Sequence, residues 1–197
     1  MSRKRSRKPR PKPGPDVLTV DKLTAATAQL EAAIFLWFNM QNPIPIHGLA
    51  AAALDCLHAL GGKSGKPSLV ETWIKSQRSA ARERARYFQS FIKHGFKDLD
   101  ETVDYSPKHG EVLMTDAVVC YEKLFHKKTP LMFLFLARYI LENPDVILPE
   151  GKDFIPTGAY ADYVTGLNRK DFMNEILPLL ISKMGMPGFH LAIPPEP

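Results

Sequence analysis

The sequence has little cysteine, and the two cysteines that it has lie far apart. Cys56 and Cys120 are the only ones among 197 residues, and each lies within an apolar helical pattern. Thiols separated in this way form neither a disulfide framework nor the ligand spacing of a structural zinc site. Because buried thiols of this kind suit a reducing compartment, the sequence predicts a cytoplasmic protein.

Several motifs and segments are also missing. The sequence contains no Walker loop, no GxGxxG and no GxSxG. The glycine- and lysine-rich stretch 61–66 follows a predicted helix instead of a strand, so we interpret it as a flexible linker.

The most apolar run, 131–141, is about half of the ~20 residues that a membrane span requires, and no apolar stretch follows the basic N-terminus. We therefore expect neither a transmembrane segment nor a secretory signal.

No alternating run is long enough to predict a β-sheet, whereas apolar residues recur at spacings of three and four along most of the chain. The expected fold is an all-α, single-domain bundle of about six helices. Asp21, Ser68, Ser106 and Thr129 are the predicted N-caps, and Gly61-Gly62 is expected to end the second helix. The six predicted helices cover approximately residues 21–39, 46–60, 69–94, 107–124, 130–142 and 169–183.

Both ends of the chain differ in composition from its centre. Residues 1–18 are basic and rich in proline, so we expect a disordered tail. Residues 19–185 form the predicted bundle domain, and residues 186–197 form a proline-rich, extended C-terminal tail.

Charge is divided unequally between the tail and the body. Seven cations and no acid occur in residues 1–15, which leaves 19 Lys and Arg against 21 Asp and Glu in the rest of the chain. The formal charge of +5 thus consists of a +7 tail on a −2 body. A basic, extended segment can bind a polyanion through its phosphates. The candidate nucleic-acid-binding residues of the tail are Arg3, Lys4, Arg5, Arg7, Lys8, Arg10 and Lys12.

The third predicted helix carries a polar stripe opposite an apolar face. Arg86, Lys93 and His94 lie on the polar side, together with Gln89 and Ser90. The apolar side consists of Tyr87, Phe88, Phe91 and Ile92. A histidine at the border of the stripe can act as an acid or base or bind an anion, and nearby cations attract phosphate. The alternative is an ordinary solvated face.

Two further polar residues lie at the edge of predicted apolar faces. His47 falls in the first turn of the second helix and could face His94, and Asp116 on the fourth helix could orient a histidine or pair with Lys123. His58 is expected on the solvent face, where a histidine needs no special role. If the protein is an enzyme, the candidate catalytic residues are His94, Arg86, His47 and Asp116.

The local set His94, Asp98, Asp100 and Asp104 matches no metal-binding pattern, so we predict neither a metal nor a cofactor.

Residues 29–58, 88–104 and 113–117 resemble a family of uncharacterised bacterial helical proteins, which has no assigned activity. A more distant similarity is to the HEPN domains, helical bundles that bind nucleotides and include metal-independent ribonucleases. Their motif consists of an arginine, four to six intervening residues, and then a histidine near a helix end. The stretch Ser90–His94 resembles its second half, but Gln89 stands where arginine is expected and Arg86 lies outside the spacing.

Three hypotheses follow for the function. The first is a non-enzymatic helical module that binds nucleic acid or a ribonucleoprotein partner through its tail and the cations Arg82, Arg86 and Lys93 of the third helix. The second is a protein interaction module or homodimer. The third, implied by the HEPN resemblance, is a nucleotide-binding protein or ribonuclease that uses His94 and Arg86.

Overall fold

The structure is a computed structural model of the chain. It describes residues 18–64, 87, 88, 90–92, 100, 102–143 and 159–184. These residues contain helices and no β-strand, which confirms the all-α fold class. The basic tail, most of the third predicted helix and the C-terminal tail lie outside the described residues, and so does the predicted N-cap Ser68.

Six helices have defined bounds within the described ranges. They are α1 (Lys22–Phe38), α2 (Pro43–Ser64), α3 (Pro107–Phe125), α4 (Pro130–Glu142), α5 (Ala159–Gly166) and α6 (Arg169–Met184). Residues 87, 88 and 90–92 are helical as well, in agreement with the predicted third helix.

The predicted N-caps of α1, α3 and α4 are confirmed. The side chain of Asp21 accepts a hydrogen bond from the Thr24 amide at 2.7 Å, and that of Thr129 accepts one from Met132 at 3.3 Å. Ser106 occupies the N-cap position of α3 without such a bond. The Asp21 and Thr129 side chains thus satisfy helix N–H groups that have no partner within the helix.

The structure differs from the predicted helices at both ends of α2 and at α5. Helix α2 begins at Pro43, three residues before the predicted start, because proline fits the first turn, where its missing N–H costs no hydrogen bond. The helix also continues through Gly61-Gly62 to Ser64. Helix α5 lies between the fifth and sixth predicted helices, where no helix was predicted, and Val164 on it joins the buried core.

Helix α1 lies at the centre of the described bundle, in contact with α2, α3, α4 and α6. Leu30, Ile34 and Trp37, which recur on it at spacings of four and three, are all buried. Helix α4, which is apolar nearly all round, is buried at eight of its 13 positions.

Helices α2 and α3 approach each other closely beside His47. A Cβ atom at Gly110 would lie 3.7 Å from the His47 Cα and 3.2 Å from the Tyr105 hydroxyl, so only glycine fits this contact without displacing a neighbour. Further along both helices, His58 faces Asp116. The contacts therefore occur in the same order along the two helices, which run in the same general direction.

One stretch of the described chain, Pro43–Gly62 in α2, is long and apolar enough to cross a membrane by length and composition, with a mean hydropathy of 1.3. The core helix of a soluble bundle meets the same criteria, and α2 packs against α1 and α3. The cytoplasmic location thus stays a prediction.

Candidate functional site

A cleft with charged walls opens where α1, α2, α3, α4 and α6 converge. Its volume is about 550 Å³, within the usual range of small-molecule sites. We call it the Arg–Glu cleft. Its lining consists of Trp37, Met40, Gln41, Pro43, Ile46, Pro107, Glu111, Arg138, Glu142, Asn168 and Arg169.

Arg169 connects the elements around the cleft. Its guanidinium donates to both carboxylate oxygens of Glu142, at 2.6–3.1 Å, and to Oε1 of Glu111 at 2.9 Å. It also lies over the Trp37 ring, 3.8 Å from the ring centroid. The Trp37 indole in turn donates to Glu111 Oε1 at 2.8 Å. One side chain at the start of α6 thereby contacts α1, α3 and α4.

Arg138 completes this network from within the apolar helix α4. Its Nε donates to Glu142 at 2.7 Å, and its Nη1 donates to the Val164 carbonyl of α5 at 3.2 Å. Burial raises the pKa of Glu142, but the hydrogen bonds from Arg169 and Arg138 outweigh this effect and hold the pKa below its usual value. Burial lowers the pKa of Arg169, and the contacts with Glu142 and Glu111 more than reverse that change.

The network leaves two polar atoms of the cleft without a hydrogen bond to any described residue. They are Glu111 Oε2, an acceptor, and Arg169 Nη1, a donor. Met40 lies at the mouth of the cleft with 72% of its surface exposed and a positive φ of 52°. This left-handed residue closes the C-terminus of α1, because the Met40 N–H donates to the Trp37 carbonyl and the Gln41 N–H donates to the Leu36 carbonyl, both at 3.1 Å.

His47 lies apart from this network, in an aromatic environment. Its ring packs edge-on against Phe88 and Tyr105, with centroid distances of 4.7 and 5.5 Å. It is only 3% exposed, and neither ring nitrogen has a hydrogen-bond partner in the described part of the chain. Burial, together with the nearby charge of His109, lowers the pKa of His47 to about 4.

Asp116 is 2% exposed and faces His58, which is not one of the candidate catalytic histidines. Its Oδ2 lies 3.9 Å from Nε2 of His58, which is partly buried. The expectation that His58 lies on the solvent face is therefore wrong. Asp55, three residues earlier on α2, is exposed.

His47 and Asp116 do not converge. His58 is 11 residues after His47 on α2, which corresponds to about 16 Å along a helix axis. Since Asp116 faces His58, it belongs to a different part of the α2–α3 contact from His47. The other candidate residues lie outside the described residues, namely His94, Arg82, Arg86, Lys93 and the seven tail cations.

The predicted apolar face of the third helix is confirmed only in part. Phe88 is buried, whereas Tyr87 and Ile92, also assigned to the apolar face, are 45% and 40% exposed. The buried face is thus narrower than the sequence predicts.

Sequence reasoning missed Trp37, Glu111, Glu142 and Arg169 as site residues. Arg138 offers the one local signal, because an arginine within an otherwise apolar helix, four residues before a glutamate, indicates a buried ion pair. The other members of the network come from distant parts of the sequence.

Among the described residues, no three His, Cys, Asp or Glu side chains are grouped so that they could hold a metal ion. Comparison of the chain with protein-family models, with curated proteins and with solved structures finds no match. The resemblance to HEPN domains and to the bacterial helical family stays a prediction.

Proposed function

We propose that the chain is a non-enzymatic helical module that binds single-stranded nucleic acid. In this proposal the seven cations of residues 1–15 provide most of the affinity, and the cations of the third helix, Arg82, Arg86 and Lys93, extend the contact.

The observation that carries the proposal is the distribution of charge relative to the described helices. The described residues contain ten Lys and Arg against twelve Asp and Glu, so they have no positive excess. Both of their arginines, Arg138 and Arg169, pair with Glu142, and Lys128 pairs with Glu122. The remaining residues contain 16 Lys and Arg against nine Asp and Glu. A polyanion would therefore bind to these remaining residues.

The physical basis is contact with phosphates. Each Lys or Arg that neutralises a phosphate releases a condensed counterion, which gives strong but sequence-independent binding. Prolines between the tail cations favour an extended backbone, which would let successive side chains follow a single strand.

The contacts of His47 and Asp116 support this proposal over an enzyme with all four candidate catalytic residues. A ribonuclease site would require an acid or base and a charge-stabilising group close to one phosphate. His47 lies among aromatic rings, and Asp116 faces His58. Neither contact supports a site shared by the two residues.

The test compares two sets of substitutions in the full chain. In one variant all seven tail cations are replaced by glutamine. In the control, five exposed lysines of the described helices are replaced by glutamine, namely Lys22, Lys108, Lys127, Lys170 and Lys183. The dissociation constant for single-stranded RNA is measured at one fixed salt concentration by fluorescence anisotropy.

We expect the tail variant to bind on the order of 100-fold more weakly, and the control variant to lose about threefold or less, since its cations act only over long distance. Equal losses in the two variants would contradict a role of the tail, because they would reflect net charge alone. An unchanged affinity of the tail variant would rule out the proposed function.

A further inference from the structure

The Arg–Glu cleft has features that a purely structural ion-pair network does not require. It is open to solvent, it keeps one acceptor and one donor of its lining residues without hydrogen bonds to described residues, and the largely exposed apolar side chain of Met40 stands at its mouth. Apolar walls with a few polar groups that lack partners are typical of a small-molecule site. We infer that the cleft binds a ligand.

The charges of the cleft exclude a phosphate as that ligand. Glu142 is shared by two arginines, so their positive charge is largely neutralised within the protein. Glu111 adds a second carboxylate, which repels anions. With two arginines and two glutamates in the lining, the charges balance and are paired with one another, which favours an uncharged ligand.

The remaining surface of the cleft favours a flat, apolar ring with a polar edge. Pro43, Ile46, Pro107 and Met40 provide apolar walls. Among the polar lining residues, Glu111 has an oxygen, Oε2, that can still accept a hydrogen bond, and Arg169 has a nitrogen, Nη1, that can still donate one. A nucleobase presents a donor next to an acceptor along one edge and apolar faces above and below.

Glu111 further indicates which bases fit. Its side chain is only 14% exposed, and its Oε1 already accepts two hydrogen bonds. A donor that projects from the ring, such as an exocyclic amine, reaches the remaining oxygen more readily than a ring N–H does. Adenine and cytosine carry such an amine beside a ring nitrogen acceptor, whereas uracil has none.

We propose that the Arg–Glu cleft binds one unstacked, amine-bearing nucleobase of the strand that the tail holds. This inference rests on the proposed function for its biological ligand, but its test does not. Free nucleosides carry no phosphate, so the basic tail offers them no electrostatic attraction. Nucleoside binding and RNA binding by the tail can therefore fail independently.

The experiment titrates adenosine, cytidine and uridine into the full chain and follows binding by NMR chemical shifts. We expect adenosine and cytidine to bind, and uridine to bind on the order of tenfold more weakly. No binding of any nucleoside up to its solubility limit would overturn the inference, and so would equal binding of all three.

Two variants locate the site. Glu111→Gln keeps a carbonyl oxygen for Trp37 and Arg169 and replaces Oε2 by a donor nitrogen, so we expect about a tenfold loss of cytidine affinity. Met40→Gly removes the side chain at the mouth and relieves the left-handed backbone, so it should weaken binding several-fold while the melting temperature stays the same or rises.

His126→Gly is the matched control for Met40→Gly. His126 is the other described non-glycine residue with a positive φ, 54°, and it caps α3 outside the lining of the cleft. We expect this variant to leave nucleoside binding unchanged. If Met40→Gly and Glu111→Gln also bind cytidine with unchanged affinity, the cleft is not the site.

Discussion

His47 is a buried imidazole whose neutral form is favoured by its surroundings. Phe88 and Tyr105 surround it with aromatic rings, and the nearby charge of His109 disfavours a second positive charge. Its position in the first turn of α2 acts in the same direction, because the N-terminus of a helix carries a partial positive charge. We therefore expect protonation of His47 to weaken the close contact between α2 and α3.

The first consequence concerns stability in acid. The pKa of His47 is lowered from 6.5 to about 4 in the folded protein, so between these two pH values the unfolded chain binds more protons at this residue than the folded chain does. The contribution of neutral His47 to the stability of the folded chain is therefore complete above pH 6.5 and is lost as the pH falls towards 4. We expect His47 to contribute a loss of up to about 3 kcal/mol in the free energy of unfolding over this interval.

The measurement is urea unfolding of the wild-type chain and of His47→Phe at several pH values between 4 and 7.5. Phenylalanine keeps a flat ring among Phe88 and Tyr105 but cannot be protonated. All other titrating groups are shared by the two proteins, so the difference in their unfolding free energies reports His47. A difference that stays constant over the whole interval would contradict the assignment.

At the scale of the element, α6 is held to the bundle by the residue at its start. Arg169 occupies the first position of the helix, where a cation is unfavourable by about 0.3–1 kcal/mol because of the helix dipole. Its contacts with Glu142, Glu111 and Trp37 offset this cost. The network therefore fixes the placement of α6 on α1, α3 and α4.

Arg169→Gln should lower the free energy of unfolding by about 1–3 kcal/mol, since it leaves two partly buried carboxylates with fewer partners. Lys170→Gln, at the next and exposed position, should change it by about 0.5 kcal/mol or less. Urea unfolding at pH 7 measures both values. Equal effects of the two substitutions would show that the Arg169 network does not hold α6.

Much of the helical structure could be predicted from the sequence because its signals are local. Apolar residues at spacings of three and four, with Asp21, Ser106 and Thr129 as caps, mark α1, α3 and α4. Helix α5 was missed because its sequence favours a loop and tertiary packing of Val164 overrides that preference. The ends of α2 were also predicted wrongly, because proline and glycine usually mark helix ends, whereas α2 begins at Pro43 and continues through Gly61-Gly62.

The Arg–Glu cleft could not be predicted in the same way. Its hydrogen bonds join residues that are up to 74 positions apart in the sequence, as Trp37 and Glu111 are. Within its own helix, each member of the network looks like an ordinary surface or core residue. Only the packing of α1, α3, α4 and α6 brings them together. His47 could be located at the edge of an apolar face, but its aromatic neighbours Phe88 and Tyr105 come from other segments.

At the scale of the whole molecule, the excess of positive charge lies in a different part of the sequence from the packed helices. The described helices bury an apolar core and pair their arginines internally, with ten cations against twelve acids. The positive excess lies in the rest of the chain, above all in residues 1–15. This division is the reason for proposing that the bundle serves as a body to which a phosphate-binding segment is attached.

The most direct measurement of this claim is the salt dependence of binding to single-stranded RNA, for the full chain and for a chain that lacks residues 1–15. Seven phosphate contacts predict a log–log slope of about −5 for the tail alone. Removal of residues 1–15 should reduce the magnitude of the slope by about that amount and leave only the weak contribution of Arg82, Arg86 and Lys93. Identical slopes for the two chains would contradict the account.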